Sequence, residues 1–178
     1  MTWNGTTIRL RPIRPEDEAA LRTFFEQLSL EDMHARYFCT FRNPEHAQLA
    51  RLTQIDYARE MAFVAMAETP EGNAEILGEV RAESDPDNIE AEIGIVVRSD
   101  CTGRGLGTLL MKKIVAHCRK QGTRFLAGTV LPGNRRMLGL VRGFGFAAQT
   151  GSHSDGIAIR LPLSDDDSAG NEEQTQEN

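Results

Sequence analysis

Apolar residues fall at every second position through residues 89–97 of this 178-residue chain and at every third or fourth from residue 106 onward. In the first stretch Ala91, Ile93, Ile95 and Val97 share one face and Glu90, Glu92, Gly94 and Val96 the other, which is the period of a strand. In the second, Leu106, Leu110, Ile114 and Cys118 recur at helical spacing, and Gly122 is placed to end the helix. The same reading predicts a first strand at 8–11, an amphipathic helix at 15–28, a second helix capped by Ser29-Leu-Glu-Asp32, and a further helical segment from Asn43-Pro44. Strands at 61–68, 75–84 and 89–97, joined by turn-rich 69–73 and 85–88, predict an antiparallel meander. A strand at 125–130, a helix capped by Asn134 and an alternating strand at 157–161 complete a mixed α/β chain with no internal repeat.

Between the strand at 89–97 and the long helix, glycines stand at 103, 105 and 107. Without β-carbons, such a turn can aim several backbone N–H groups the same way at the positive end of a helix dipole, a cradle suited to a pyrophosphate. The turn has no Gly-Lys-Ser/Thr ending, so it lacks the lysine and hydroxyl of a P-loop. A nicotinamide site would want an acidic residue about 20 residues after the glycines, where Lys120-Gln121-Gly122 stands instead.

The spelling Gly103-Arg104-Gly105-Leu106-Gly107 after Ile95-Val96-Val97 resembles the acyl-CoA pyrophosphate loop of the GNAT family of N-acetyltransferases. Two further segments agree with it. Asn134-Arg-Arg-Met-Leu-Gly-Leu-Val-Arg-Gly-Phe-Gly-Phe146, after the break at Pro132-Gly133, is similar to the family's second cofactor segment. Leu49-Ala-Arg-Leu-Thr-Gln-Ile-Asp-Tyr57 followed by Arg59-Glu-Met-Ala-Phe-Val-Ala65 resembles a bacterial subgroup that acetylates lysines on other proteins and is best known for inactivating AMP-forming acyl-CoA synthetases. Arg36-Tyr37-Phe38, His46, Val80-Arg81 and Asp85-Pro-Asp-Asn88 fit the same pattern, so the resemblance spans residues 7–163.

The resemblance implies a GNAT-like, largely antiparallel central sheet flanked by helices, with acetyl-CoA as cosubstrate. It implies that the main chain of Ile95, Val96 and Val97 runs along the pantetheine arm and that the amides of Gly103, Arg104, Gly105, Leu106, Gly107 and Thr108 hold the pyrophosphate. Asn134 would contact CoA as well as cap its helix. The acceptor it points to is a protein, an AMP-forming acyl-CoA synthetase. One departure stands out: Val141 occupies the position at which many relatives carry a tyrosine that protonates the departing thiolate.

An amine acceptor must lose a proton, since a lysine ammonium is only about one part in a thousand free base near pH 7.4. Glu92 matches the strand position at which several protein acetyltransferases of the family carry a catalytic glutamate, and Gly94 leaves space beside it. Partial desolvation in a sheet would bring such a carboxylate toward the range useful for a base. The structural alternative is a cross-strand ion pair. If the 85–88 hairpin pairs Ser84 with Ile89, Arg81 lies opposite Glu92 and Glu83 opposite Glu90. His117 on the long helix is a weaker alternative base.

Composition narrows the rest. A chain of this length, 40% hydrophobic, is one domain large enough to bury a core, taken here as residues 1–163. Residues 164–178 hold Asp165, Asp166, Asp167, Glu172, Glu173 and Glu177 and no base, so the net charge of −6 resides there and the body is balanced. That tail is too polar to repay ordering and reads as disordered. No basic stripe interleaved with aromatics points to nucleic acid. Cys39, Cys101 and Cys118 are odd and scattered, and His34, His46, His117 and His153 have no ligand spacing, which predicts no metal site and a reducing, cytoplasmic setting. No apolar run approaches a membrane span. Two other classes fit the motifs: a small-amine acetyltransferase with a closed pocket, and a non-catalytic acyl-CoA-binding module. The sequence leaves the oligomeric state open.

Overall fold

The computed structural model describes residues 1–3, 5–37, 44–68, 74–149 and 156–163. Readings that fall on Phe38, Cys39, Asn43, the 69–73 turn, His153 and the 164–178 tail lie outside these residues. The elements are β1 (Thr2–Trp3), β2 (Thr6–Pro12), α1 (Glu18–Gln27), α2 (Leu30–Tyr37), α3 (His46–Thr53), β3 (Glu60–Glu68), β4 (Ala74–Ser84), β5 (Glu90–Val97), α4 (Leu106–Lys120), β6 (Phe125–Val130), α5 (Arg135–Gly143), β7 (Ala147–Ala148) and β8 (Ile157–Pro162). They form one sheet in the order β1-β2-β3-β4-β5-β6-β8-β7. Every adjacent pair is antiparallel except β5 and β6. The expected mixed, largely antiparallel fold is therefore present. The two-residue edge strands β1 and β7 are too short to show a period and went unread.

Each face of the sheet carries its own core. On one, Leu106, Leu110, Met111 and Ile114 of α4 pack against strand residues such as Phe63, Val80 and Ile93. On the other, Leu21, Phe24 and Phe25 of α1 and Leu49 of α3 pack against Val64, Ile76 and Val96. The period-two reading of β5 thus holds: Ala91 and Ile93 face α4, while Val96 faces the α1 to α3 side. The start of α1 is fixed by Asp17, which accepts from the Arg14 amide at 2.8 Å and from both Arg11 terminal nitrogens at 2.7 and 2.6 Å.

The second face also buries charge. Glu79 and Arg81 of β4 are 1% and 7% exposed, and Arg81 Nε donates to Glu79 Oε1 at 2.9 Å. Arg81 also pairs with Glu60 of β3 and donates to the Leu52 carbonyl at 2.7 Å, tying α3 to the sheet. Burial alone would lower the Arg81 pKa, but Glu79 and Glu60 overcome it and push the guanidinium above its ordinary value.

The expected hairpin register is wrong by two residues. Ser84 pairs with Ala91 rather than Ile89, so Arg81 faces Gly94 and Glu83 faces Glu92. The cause is Asp85, whose carboxylate accepts from the Ile89 amide at 2.7 Å and the Glu90 amide at 3.2 Å. Those amides serve the loop instead of the ladder. Asn88 takes φ of 52° and binds across to α4, donating to the Gln121 carbonyl at 2.9 Å and accepting from Thr123 Oγ1 at 2.8 Å. No helix among the described residues is long and apolar enough to cross a membrane.

Candidate active site

β5 and β6 are paired only at Glu90 with Phe125, Ala91 with Leu126 and Glu92 with Ala127. Beyond that point β6 stays with β8 while β5 runs on beside β4. The sheet therefore opens, and along 93–97, Ile95, Val96 and Val97 included, the β6-side edge of β5 has no strand partner among the described residues. An edge of free main-chain donors and acceptors can take an extended, amide-bearing ligand.

The strand then enters a turn pinned by Arg98. Its guanidinium donates to Asp100 at 2.7 and 2.8 Å, to Glu75 at 2.8 Å and to Gln27 at 2.7 Å. The bonds and charges of Asp100 and Glu75 outweigh burial and push the Arg98 pKa up, while Arg98 holds the Asp100 carboxyl below its usual value. Gly103 and Gly105 follow with φ of 73° and 83°, a region L side chains avoid, and Gly105 is the N-cap of α4. The first bond into the helix is Leu109 N–H to Gly105 carbonyl at 3.1 Å, so the amides of Leu106, Gly107 and Thr108 project from the helix end. Gly107 is different: its φ is ordinary, and a β-carbon there would only touch Leu140, Val97 and Ile95 at 3.6 to 4.0 Å.

Two contacts unread in the sequence hold this loop. Trp3 Nε1 donates to the Arg104 carbonyl at 2.8 Å, and Arg136 of α5 donates to Thr102 Oγ1 at 3.1 Å. The second brings the start of α5 against the loop. There Asn134 caps its helix as expected, accepting from the Met137 amide at 3.0 Å. Val141 is 1% exposed and part of the core. The residues named from sequence for a phosphate ligand are thus gathered at the opening of the sheet.

Replacing Gly105 by alanine should raise the dissociation constant for acetyl-CoA at least tenfold. Gly122 offers a matched control, because its φ is 78°, with open space around it at the far end of α4. Both variants carry a left-handed alanine costing about 1–2 kcal/mol. Calorimetry should find affinity lost in Gly105→Ala and kept in Gly122→Ala; equal affinities would remove the cradle.

Glu92 is exposed, not partly desolvated as expected, and no Arg81 stands opposite it. With Glu90, Ala127, Thr129, Gln149 and Arg160 it lines an open groove of about 480 Å³ over β5, β6 and β8. Arg160 forms a 2.8 Å ion pair with Glu90 and lies 3.7 Å from the centroid of the Phe125 ring. The space expected beside Gly94 is filled: a β-carbon there would fall inside the guanidinium of Arg36. His117 is on α4, edge-on to Phe63 on the other side of the sheet, so it does not share the groove with Glu92. Burial first, then Lys113 and Lys120, pull its pKa down. The thiols of Cys101 and Cys118 are free and buried, and burial pushes Cys118 up to about 11.

The profile of the acetyltransferase (GNAT) family matches residues 28–146. The chain belongs to that family. It is accordingly an acyl-CoA-dependent N-acetyltransferase with acetyl-CoA as its acyl donor. An acetyltransferase of Pseudomonas aeruginosa is 30% identical over 146 residues, covering 82% of this chain and 78% of that protein. The acetyltransferase Pat of Mycolicibacterium smegmatis is 29% identical over 134 residues, 75% of this chain but only 39% of Pat. The crystal structure of the GNAT domain of S. lividans PAT superposes with a TM-score of 0.79 at 27% identity, over 89% of this chain and 92% of that one. The resemblance to the Pat subgroup therefore stands beside family membership. The left-handed glycines, the three projecting amides and the open β5 edge fit a CoA pyrophosphate and its pantetheine amides.

Proposed function

We propose that this GNAT protein is a lysine N-acetyltransferase that moves acetyl from acetyl-CoA to the ε-amine of a lysine on a folded protein, an AMP-forming acyl-CoA synthetase. The observation that carries the reading is the position of Glu92 on the floor of an open groove instead of in a closed pocket. A lysine on a protein surface can enter such a groove with the rest of its protein outside. In this reading the main chain of Ile95, Val96 and Val97 receives the pantetheine arm. The amides of Gly103, Arg104, Gly105, Leu106, Gly107 and Thr108 hold the pyrophosphate, with Asn134 alongside. Glu92 takes one proton from the ammonium, directly or through one water, and frees the lone pair that attacks the thioester carbon. The tetrahedral adduct then breaks its C–S bond, CoA leaves as the thiolate, and the thiolate takes up the second proton shed by the nitrogen. The buried free thiols go with a cytoplasmic setting.

The test is acetyl transfer from labelled acetyl-CoA to a panel of purified acyl-CoA synthetases, beside free lysine and polyamines. Transfer should concentrate on one lysine of a synthetase. A short peptide spanning that lysine should react at least tenfold more slowly than the intact protein, because a lysine alone offers little binding energy and selectivity needs a wider docking surface. Equal rates on peptide and protein would argue against docking, and faster turnover of a polyamine would overturn the acceptor.

A further inference from the structure

Arg36 stands apart from the other arginines. Among the described residues, the buried or half-buried arginines 11, 22, 81, 98 and 160 each have a carboxylate within ion-pair distance. Arg36 is half-buried and has none among them; among the described residues its one charge contact is the face of the Tyr37 ring, 4.7 Å from the guanidinium. It is also placed with care. α2 lays its guanidinium directly on the backbone of Gly94, in room that exists only because that residue lacks a β-carbon. Gly94 and Glu92 lie on the same face of β5, two residues apart, or about 7 Å.

We propose that Arg36 reads a carboxylate carried close to the amine being acetylated. The inference rests on the groove at Glu92 being the acceptor site. With the amine at Glu92, a group about 7 Å away along β5 meets a planar fork of donors whose geometry matches a carboxylate, which pairs with arginine in two parallel bonds. No carboxylate of a described residue, Glu92 included, lies within ion-pair distance of it. Arg81, opposite Gly94, is engaged with Glu79 and Glu60, and Glu83 lies opposite Glu92, one strand away from Arg36. A carboxylate at this distance has two sources: an acidic side chain flanking the target lysine, or the lysine's own α-carboxylate, about as far from its ε-amine.

Two pairs of short blocked peptides separate these sources. One pair carries lysine flanked by glutamate or by glutamine; the other ends in lysine as a free acid or as an amide. With wild-type protein, kcat/KM should favour the acid member of one pair at least tenfold, the size expected of a charge-assisted bond, and the pair that shows it names the source. In Arg36→Gln that ratio should fall to within twofold of one, with acetyl-CoA affinity unchanged, and Arg36→Lys should keep part of it. Gly94→Ala, which pushes the guanidinium off the strand without removing it, should lower the ratio too, so the inference stays testable if Arg36→Gln misfolds. A ratio near one for both pairs in the wild type, or a ratio unchanged in Arg36→Gln, would overturn it. Failure of the underlying reading looks different: Glu92→Gln would then acetylate every peptide at the wild-type rate, whatever the acid preference.

Discussion

Glu92→Gln should acetylate its acceptor at least about 100-fold more slowly than the wild type while binding acetyl-CoA with the same affinity. The magnitude is the lower end of what a positioned general base contributes. Glutamine keeps the shape of the groove floor and loses only the ability to accept a proton. Because Glu92 is exposed and forms no ion pair among the described residues, the change removes no structural bond seen there, so the loss would be chemical. Steady-state rates at pH 7.5 beside calorimetric titration with acetyl-CoA make the measurement. A fall of less than threefold would mean that the amine loses its proton elsewhere.

The second large effect is on stability. Arg81→Ala should cost about 3–5 kcal/mol in urea unfolding, the usual cost of breaking a buried pair and leaving its partner charged. Among the described residues Glu79 would then be buried with neither oxygen bonded, since Oε2 already has no partner there and Oε1 relies on Arg81. The same guanidinium holds the Leu52 carbonyl near the end of α3, so the variant also loosens that helix. Adding Glu79→Gln should recover part of the loss, because an amide is cheaper to bury than a carboxylate. A loss below about 1 kcal/mol for the single variant would show that water reaches this pair.

The sequence made these two sites legible to different degrees. Around β5 and α4, side-chain period, glycine positions and helix spacing all report the same local geometry, so strand, turn and helix were read with the faces in their right places. The glycine turn followed from that, while Glu92 came from the family resemblance that the same stretch carries. The Arg81 network did not, because it depends on strand register, and register was decided by the Asp85 side chain bonding two loop amides. A shift of two residues keeps every residue on its face, so the hydrophobic pattern could not reveal the slip. In the sequence Arg36 figures only as part of a resemblance. Nothing in a one-dimensional pattern says that α2 will lay it on Gly94, where an empty space was expected. Arg98 did carry a signal, an acid two residues on, but its bonds to Gln27 and Glu75 cross between elements far apart in the chain.

The chain has a single tryptophan, and its indole nitrogen is bonded to the carbonyl of Arg104 in the glycine turn. That bond places a natural fluorophore on the loop proposed to hold the pyrophosphate. Any ligand that draws the loop amides inward changes the polarity and quenching at one indole, with no other tryptophan to dilute the change. Loop occupancy can therefore be followed by the protein's own emission, in the time of a stopped-flow mixing experiment and without a label.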